Sequence, residues 1–251
     1  MTDTARDTFL AAALDAVRQL ADSQADAITR GGELIAAALM KGGVLQAFGT
    51  GHSRAVALEL TGRAGGLVPA NQLAIRDTVY YGGEPVESIL DPLVERDLSL
   101  AHRIWQLADI RPEDIFVIIS QSGGNGSVVE MAQLAKSRGH TVIGLTSMAH
   151  TRRITSRHPS GLRLADLADV VIDNGSPYGD AAVPAGGETI GPLSTLTGVL
   201  AAQLLVAEVA DRMAAAGVRP PVLRSLNVPD TEKHNDLLLA RYAGRVRLGD
   251  A

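Results

Sequence analysis

Four short apolar runs, separated by helical patterns, constrain this chain more than any other feature. They occupy residues 44–48, 115–119, 141–145 and 169–173. A strand with one wet face alternates apolar and polar residues. A nearly continuous run such as Ile115-Phe116-Val117-Ile118-Ile119 fits a strand covered on both faces. Strands of this kind alternating with helices predict βαβ units, hence an α/β fold with a parallel sheet between two helical layers. Ligands of such sheets sit at the carboxyl ends of the strands, near a switch in strand order.

The helical patterns fill the intervals. Phe9, Leu10, Ala13, Leu14, Val17 and Leu20, then Ile28, Leu34, Ile35 and Leu39, recur at helical spacing over 7–40. Gly31-Gly32 interrupts them, leaving two helices or one kinked helix. Helical spacing returns over 54–63 and 86–109, whereas 65–85 reads as irregular and Gly-rich. The last large helix covers 192–216, Pro220-Pro221 breaks the chain, and the remainder is polar. The apolar run 196–209 contains Gln203 and Glu208 and falls short of the ~20 residues a bilayer span requires, so it reads as a core helix. Asp3, Arg6, Asp7, Asp15 and Arg18 interrupt the first twenty residues, unlike a secretory signal.

Composition narrows the function classes. The 251 residues carry 23 Lys+Arg against 28 Asp+Glu, a net charge of −5, which argues against a chain that grips nucleic acid or an anionic membrane. Aromatic residues are 3%, too few for a base-stacking platform. With no cysteine, disulfides and thiolate metal sites are excluded, and a cytoplasmic setting is expected. His102, His150 and His158 show no metal-ligand spacing with nearby carboxylates, so neither metal nor cofactor is expected.

Two polar turns follow the first two apolar runs. Ser120-Gln121-Ser122-Gly123 leads into a helix, where free backbone N–H groups attract an anion and serine hydroxyls donate to phosphate oxygens. It lacks the lysine of a nucleotide P-loop. Gly49-Thr50-Gly51-His52-Ser53-Arg54 has the outline of a dinucleotide loop, but Arg54 stands where the third glycine would be. Either turn alone can be an ordinary connection with serine caps. Together they can cradle a sugar phosphate from two sides.

This pair of turns resembles the sugar isomerase (SIS) domain family. Residues 168–175 and 150–161 resemble its stand-alone bacterial members, and among those the N-acetylglucosamine-6-phosphate dehydratases. The resemblance spans about 34–216, with the terminal helices and the polar tail packed on that core to give one domain over 1–251. It implies a five-stranded parallel sheet flanked by helices, a sugar-phosphate ligand, no nucleic-acid or membrane partner, and a homodimer or higher homo-oligomer. It further implies phosphate or sugar contacts from Gly51, His52, Ser53, Ser120, Gln121 and Ser122. Asn125 stands where some members have threonine. Ser194, with Thr195 and Thr197, either meets the sugar or caps a helix.

The run Glu59-Leu60-Thr61-Gly62-Arg63 resembles one in sedoheptulose 7-phosphate isomerases, which makes Glu59 a candidate acid/base. The histidine those isomerases carry on their last large helix has no counterpart over 192–216. Glu84, beside Gly82-Gly83, is a second candidate carboxylate. His234 is a candidate for ring opening, in its own site or a partner's. The expected activity is therefore a lyase that dehydrates N-acetylglucosamine 6-phosphate. The alternatives are an aldose–ketose sugar-phosphate isomerase and a non-catalytic sugar-phosphate sensor.

Overall fold

The computed structural model describes residues 4–247. Two helices, α1 (Ala5–Ser23) and α2 (Ala25–Met40), lead into β1 (Leu45–Gly49). There follow α3 (Ser53–Glu59), β2 (Ala70–Leu73), the single-turn α4 (Asp77–Tyr80) and α5 (Ser99–Gln106). Next come β3 (Ile115–Ile119), α6 (Gly126–Ser137), β4 (Thr141–Thr146), the short α7 (Met148–Thr151) and α8 (Leu164–Leu167), and β5 (Val170–Asp173). A hairpin of β6 (Ala181–Ala185) and β7 (Glu188–Pro192) precedes α9 (Ser194–Ala215) and α10 (Glu232–Arg241).

The first five strands form one parallel sheet in the order β2-β1-β3-β4-β5. The chain steps outward from β1 to β2, then returns past β1 to start β3. The switch in strand order thus lies between β1 and β3, and both polar turns leave the sheet there.

Every residue of β1 and β3 is buried, as their unbroken apolar character requires. Ile115, Val117 and Ile119 join the core under α2, α3 and α9, with Ile35, Val56 and Leu205. Phe116 and Ile118 join the opposite core under α5, α6 and α8, with Leu100, Met131 and Leu164. The period-2 alternation of a strand divides one apolar run between two cores.

Several elements differ from the sequence reading. The first helical stretch breaks at Gln24, not at Gly31-Gly32, which lie within α2. Those glycines admit α9: a Cβ on Gly32 would sit 2.4 Å from Glu208 Cγ, and one on Gly31 would sit 2.9 Å from Leu205 Cδ2. Alanine normally favours a helix interior over glycine, but Gly32→Ala should here destabilise by about 1–3 kcal/mol through overpacking. A urea titration measures it, and an unchanged or raised midpoint would refute the close packing.

The irregular segment 65–85 contains β2, and the helical pattern over 86–109 resolves into single 3₁₀ turns at Val86–Ile89 and Val94–Arg96 before α5. The helix expected over 54–63 ends at Glu59. The β6–β7 hairpin was hidden in a segment rich in glycine and alanine, and the polar tail contains α10. At 22 residues, α9 is long and apolar enough for a membrane span by length and composition, contrary to the shorter run read from sequence. Its Ala201, Ala202, Leu205 and Val209 are buried in the core.

The C-terminal segment is clamped at the opposite end of the sheet from the two turns. Asp114, just before β3, accepts from Arg245 Nη2 at 2.6 Å, from the Val44 N–H at 2.9 Å and from Gln46 Nε2 at 2.9 Å. Gln46 in turn accepts from Asn71 Nδ2 at 2.9 Å, and Asn71 Oδ1 accepts from the Arg247 N–H at 3.0 Å. Asp77, beside Arg247, has its carboxyl pushed up by burial, against the pull of the Ala74 N–H and of Arg247.

Candidate functional site

The two turns open into one cleft of about 560 Å³. The β1 turn contributes Thr50, Gly51, His52 and Ser53, and the β3 turn contributes Ser120, Gln121, Ser122 and Asn125. Ser194 and Thr195 line it from the start of α9, and Ala181, Thr189, Ile190, Gly191 and Pro192 line it from the hairpin. All the residues expected to bind ligand therefore meet in one place. Gly51 has φ of +53°, a conformation that a glycine adopts without steric cost.

Hydrogen-bond bookkeeping assigns a polarity to the cleft. A hydroxyl has one hydrogen to give and two lone pairs to receive. Ser120 Oγ accepts the Gly123 N–H at 3.1 Å, and Ser122 Oγ accepts the Gly124 N–H at 3.4 Å. Accepting leaves each hydroxyl hydrogen available to a ligand anion. Thr50 is opposite in sense: its hydroxyl donates to Glu95 Oε2 at 2.6 Å, so it offers lone pairs.

Glu95 is the residue that sequence reasoning missed. It lies in the 3₁₀ turn Val94–Arg96 and lines the cleft between the two strand-end turns. One carboxylate oxygen takes Thr50, and the other accepts from Asn125 Nδ2 at 2.6 Å. Its backbone carbonyl accepts from Ser127 Oγ at 2.7 Å. A single carboxylate thus ties the β1 turn to the β3 turn. No local motif marks it: among Asp91, Glu95 and Asp97 it reads as one of several solvated charges.

Asn125 also accepts from Arg157 Nη1 at 2.7 Å, which links the chain after α7 to the same network. Next to Arg157, His158 Nε2 lies 2.7 Å from Glu130 Oε2, and His102 Nε2 lies 2.6 Å from Glu130 Oε1. Burial works against ionisation of Glu130, but the hydrogen bonds from the two histidines prevail and hold its carboxyl below the usual range.

Other candidates stand elsewhere. Gln121 lines the cleft, but its side chain is engaged, donating to Ser176 Oγ at 2.5 Å and accepting from Asn174 Nδ2 at 2.8 Å. Glu59, at the far end of α3, is bound by Arg63 and by Gln203 Nε2 of α9 at 2.7 Å. The helices of this pair both begin at the cleft, with Ser53 and Ser194, so Glu59 lies along their seam and not in the cleft wall. Glu84 accepts from Arg103 Nη1 at 2.6 Å and from Ser88 Oγ at 3.2 Å, away from the cleft lining. His234 Nε2 lies 3.0 Å from the Val222 carbonyl, which is beside the segment entering β2. That is the opposite end of the sheet from the cleft.

His150 packs beside the cleft against Tyr178, and its Nδ1 accepts from the Gly179 N–H at 3.2 Å. Burial holds its pKa below the ordinary histidine value, opposed by Asp180. Among the described residues, no group of three or more His, Asp or Glu side chains is arranged to hold a metal ion.

A strand-order switch flanked by two hydroxyl turns defines the class, and comparison with known proteins names it. The chain belongs to the SIS-domain family, whose model matches residues 8–147. The UPF0309 protein SCO4393 of Streptomyces coelicolor is 39% identical over 243 residues, covering 95% of each chain. A UPF0309 protein of Listeria monocytogenes is 34% identical over 234 residues, covering 92% of this chain and 93% of its own. Among solved structures, the fold is similar to phosphoheptose isomerase GmhA from Neisseria gonorrhoeae, with a TM-score of 0.54, 19% identity, and 80% of this chain and 95% of that one covered. It is also similar to the Vibrio vulnificus NanR protein complexed with ManNAc-6P, with a TM-score of 0.51, 18% identity, and 96% of this chain and 69% of that one covered.

Proposed function

We propose that this protein is a sugar-phosphate lyase that removes water from N-acetylglucosamine 6-phosphate. The observation that carries the reading is the polarity of the cleft: available hydroxyl donors at Ser120 and Ser122, with the Glu95 carboxylate lining the same cleft and bonded to both turns. In this reading the phosphate rests on the β3 turn at the start of α6, where backbone N–H groups also favour an anion. Held there, the sugar presents its other end in a fixed orientation.

Ring opening comes first, because only the open aldehyde acidifies the proton on carbon 2. His52 lines the cleft and moves the ring-opening protons. His234 would serve only the cleft of a neighbouring copy, which makes the expected homo-oligomer part of this proposal. Glu95 takes the carbon-2 proton, giving an enolate. The enolate expels the carbon-3 hydroxyl as that oxygen accepts a proton from the carboxylic acid just formed. One proton and one hydroxide leave as water, and the carboxylate is regenerated.

Two arguments support elimination over isomerisation in this reading. The seam carboxylate Glu59 meets an amide, Gln203, on α9, and an amide cannot shuttle protons. An acetamido group on carbon 2 also blocks the usual ketose product, while leaving elimination open.

The test is NMR of the sugar phosphate with the enzyme in deuterated water. Loss of the carbon-3 oxygen with a new vinylic signal is expected. A ketose product, or deuterium at carbon 2 with the skeleton retained, would replace the lyase reading with isomerase or epimerase chemistry. No change in any hexose or hexosamine 6-phosphate would leave a sensor. The anchor is tested separately. Ser120→Ala or Ser122→Ala removes one charge-assisted hydrogen bond and should weaken binding of the phosphate ester by about 1.5–3 kcal/mol. Calorimetry showing equal affinity for the ester and the free sugar would refute the anchor.

A further inference from the structure

We propose that the wall formed by the β6–β7 hairpin and the first residue of α9 is an acetamido-binding subsite, which would make the protein selective for 2-acetamido sugar phosphates. The inference rests on the reading of the cleft as a sugar-phosphate site, and it assigns a role to a wall that the phosphate anchor does not use.

Ser194 sets the polar half. Its hydroxyl donates to Asp180 Oδ2 at 2.6 Å, so its single hydrogen is committed and Oγ faces a ligand only as an acceptor. Asp180 is fixed in turn: Oδ1 accepts the N–H of Ser194 at 2.8 Å and that of Leu193 at 3.1 Å. Three donors converge on this one carboxylate. Asp180 has φ of +74°, a left-handed conformation unfavourable to a residue with a side chain, and both it and Ser194 line the cleft. Strained positions held by surrounding bonds concentrate at functional sites.

The hairpin sets the apolar half. Ala181, Ile190 and Pro192 line the same wall, and Ile190 is 47% exposed although its cross-strand partner Val183 is buried. The wall is pinned from behind by α1. Gly191 lies so close to Phe9 that a Cβ there would sit 2.5 Å from Phe9 Cδ2.

A fixed acceptor beside an exposed apolar surface matches a group with one N–H donor and a methyl. An acetamido group has both. A 2-hydroxyl group satisfies Ser194 and leaves Ile190 wet. A 2-ammonium group brings a hydrated charge against an apolar surface.

Calorimetry with N-acetylglucosamine 6-phosphate, glucosamine 6-phosphate and glucose 6-phosphate tests this. The acetamido sugar should bind ~10-fold or more tightly than the other two. Ile190→Asn should reduce that preference, while glucose 6-phosphate binding changes by less than about threefold, whereas Ser194→Ala should weaken all three sugars, because each can donate to its hydroxyl from carbon 2. Circular dichroism confirms that both variants are folded. Equal binding of all three sugars, a preference that survives Ile190→Asn, or unchanged binding of all three in Ser194→Ala overturns the subsite. Glucose 6-phosphate that binds no better than glucose overturns the phosphate anchor as well, which separates the two failures.

Discussion

Glu95→Gln should lower turnover of N-acetylglucosamine 6-phosphate by ~10²–10⁴-fold while changing its affinity little. The substitution is nearly isosteric and its neighbours can adapt. The Thr50 hydroxyl, which now donates to Oε2, can reverse and accept from the new amide, and Asn125 Nδ2 can still donate to Oε1. What is lost is a base, together with the acid it becomes. Single-turnover rates and calorimetry on the same variant separate the two effects. Glu59→Gln is the companion measurement. Full turnover in the Glu95 variant with loss in the Glu59 variant would move the base from the cleft wall to the α3–α9 seam.

The largest effect on stability should come from Asp114→Ala. Its carboxylate is fully buried, and Arg245 beside it is nearly so. The substitution removes the carboxylate nearest the Arg245 guanidinium, leaving it the more distant Asp109 at 3.8 Å, and leaves the Val44 N–H and Gln46 Nε2 without that acceptor. Breaking a buried pair from one side typically costs about 3–5 kcal/mol. Urea unfolding at neutral pH should show a loss of that size. A loss below about 1 kcal/mol, the range of surface pairs, would mean that the pair is not a buried clamp.

Legibility in the sequence followed the range of the forces involved. The strands β1, β3 and β4 were readable because burial on both faces imposes a nearly continuous apolar run, and β5, an edge strand buried at alternate residues, was readable from Val170-Val171-Ile172. β2 was not: Ala70-Asn71-Gln72-Leu73 carries two amides, buried here because Asn71 reaches Gln46 and Gln72 reaches the Arg54 carbonyl. The two turns were readable because glycine and serine cluster directly after strands. The hairpin was not, since β7 is mostly exposed, with Thr189 and Ile190 on the cleft, and so carries no apolar run. Gly31-Gly32 was misread as a break because its cause, the α9 backbone and side chains, lies far along the chain. Glu95 was invisible for a similar reason. Its partners Thr50 and Asn125 are 45 and 30 positions away, and no spacing rule joins them.

The clamp on Asp114 also bears on the order in which the molecule is made. Arg245 bonds Asp114 across 131 positions and the Gly42 carbonyl across 203. Contacts of such separation carry a large loop-closure entropy and form late. A nascent chain can assemble β1, β3 and both turns before residue 245 exists, yet Asp114 then lacks its cation. The sheet should therefore pass through a native-like state that is open at the amino ends of its strands until Arg245 is added. Substitutions at Arg245 should consequently speed unfolding much more than they slow folding. Arg245 would act as a latch on a structure whose other end is already shaped for ligand.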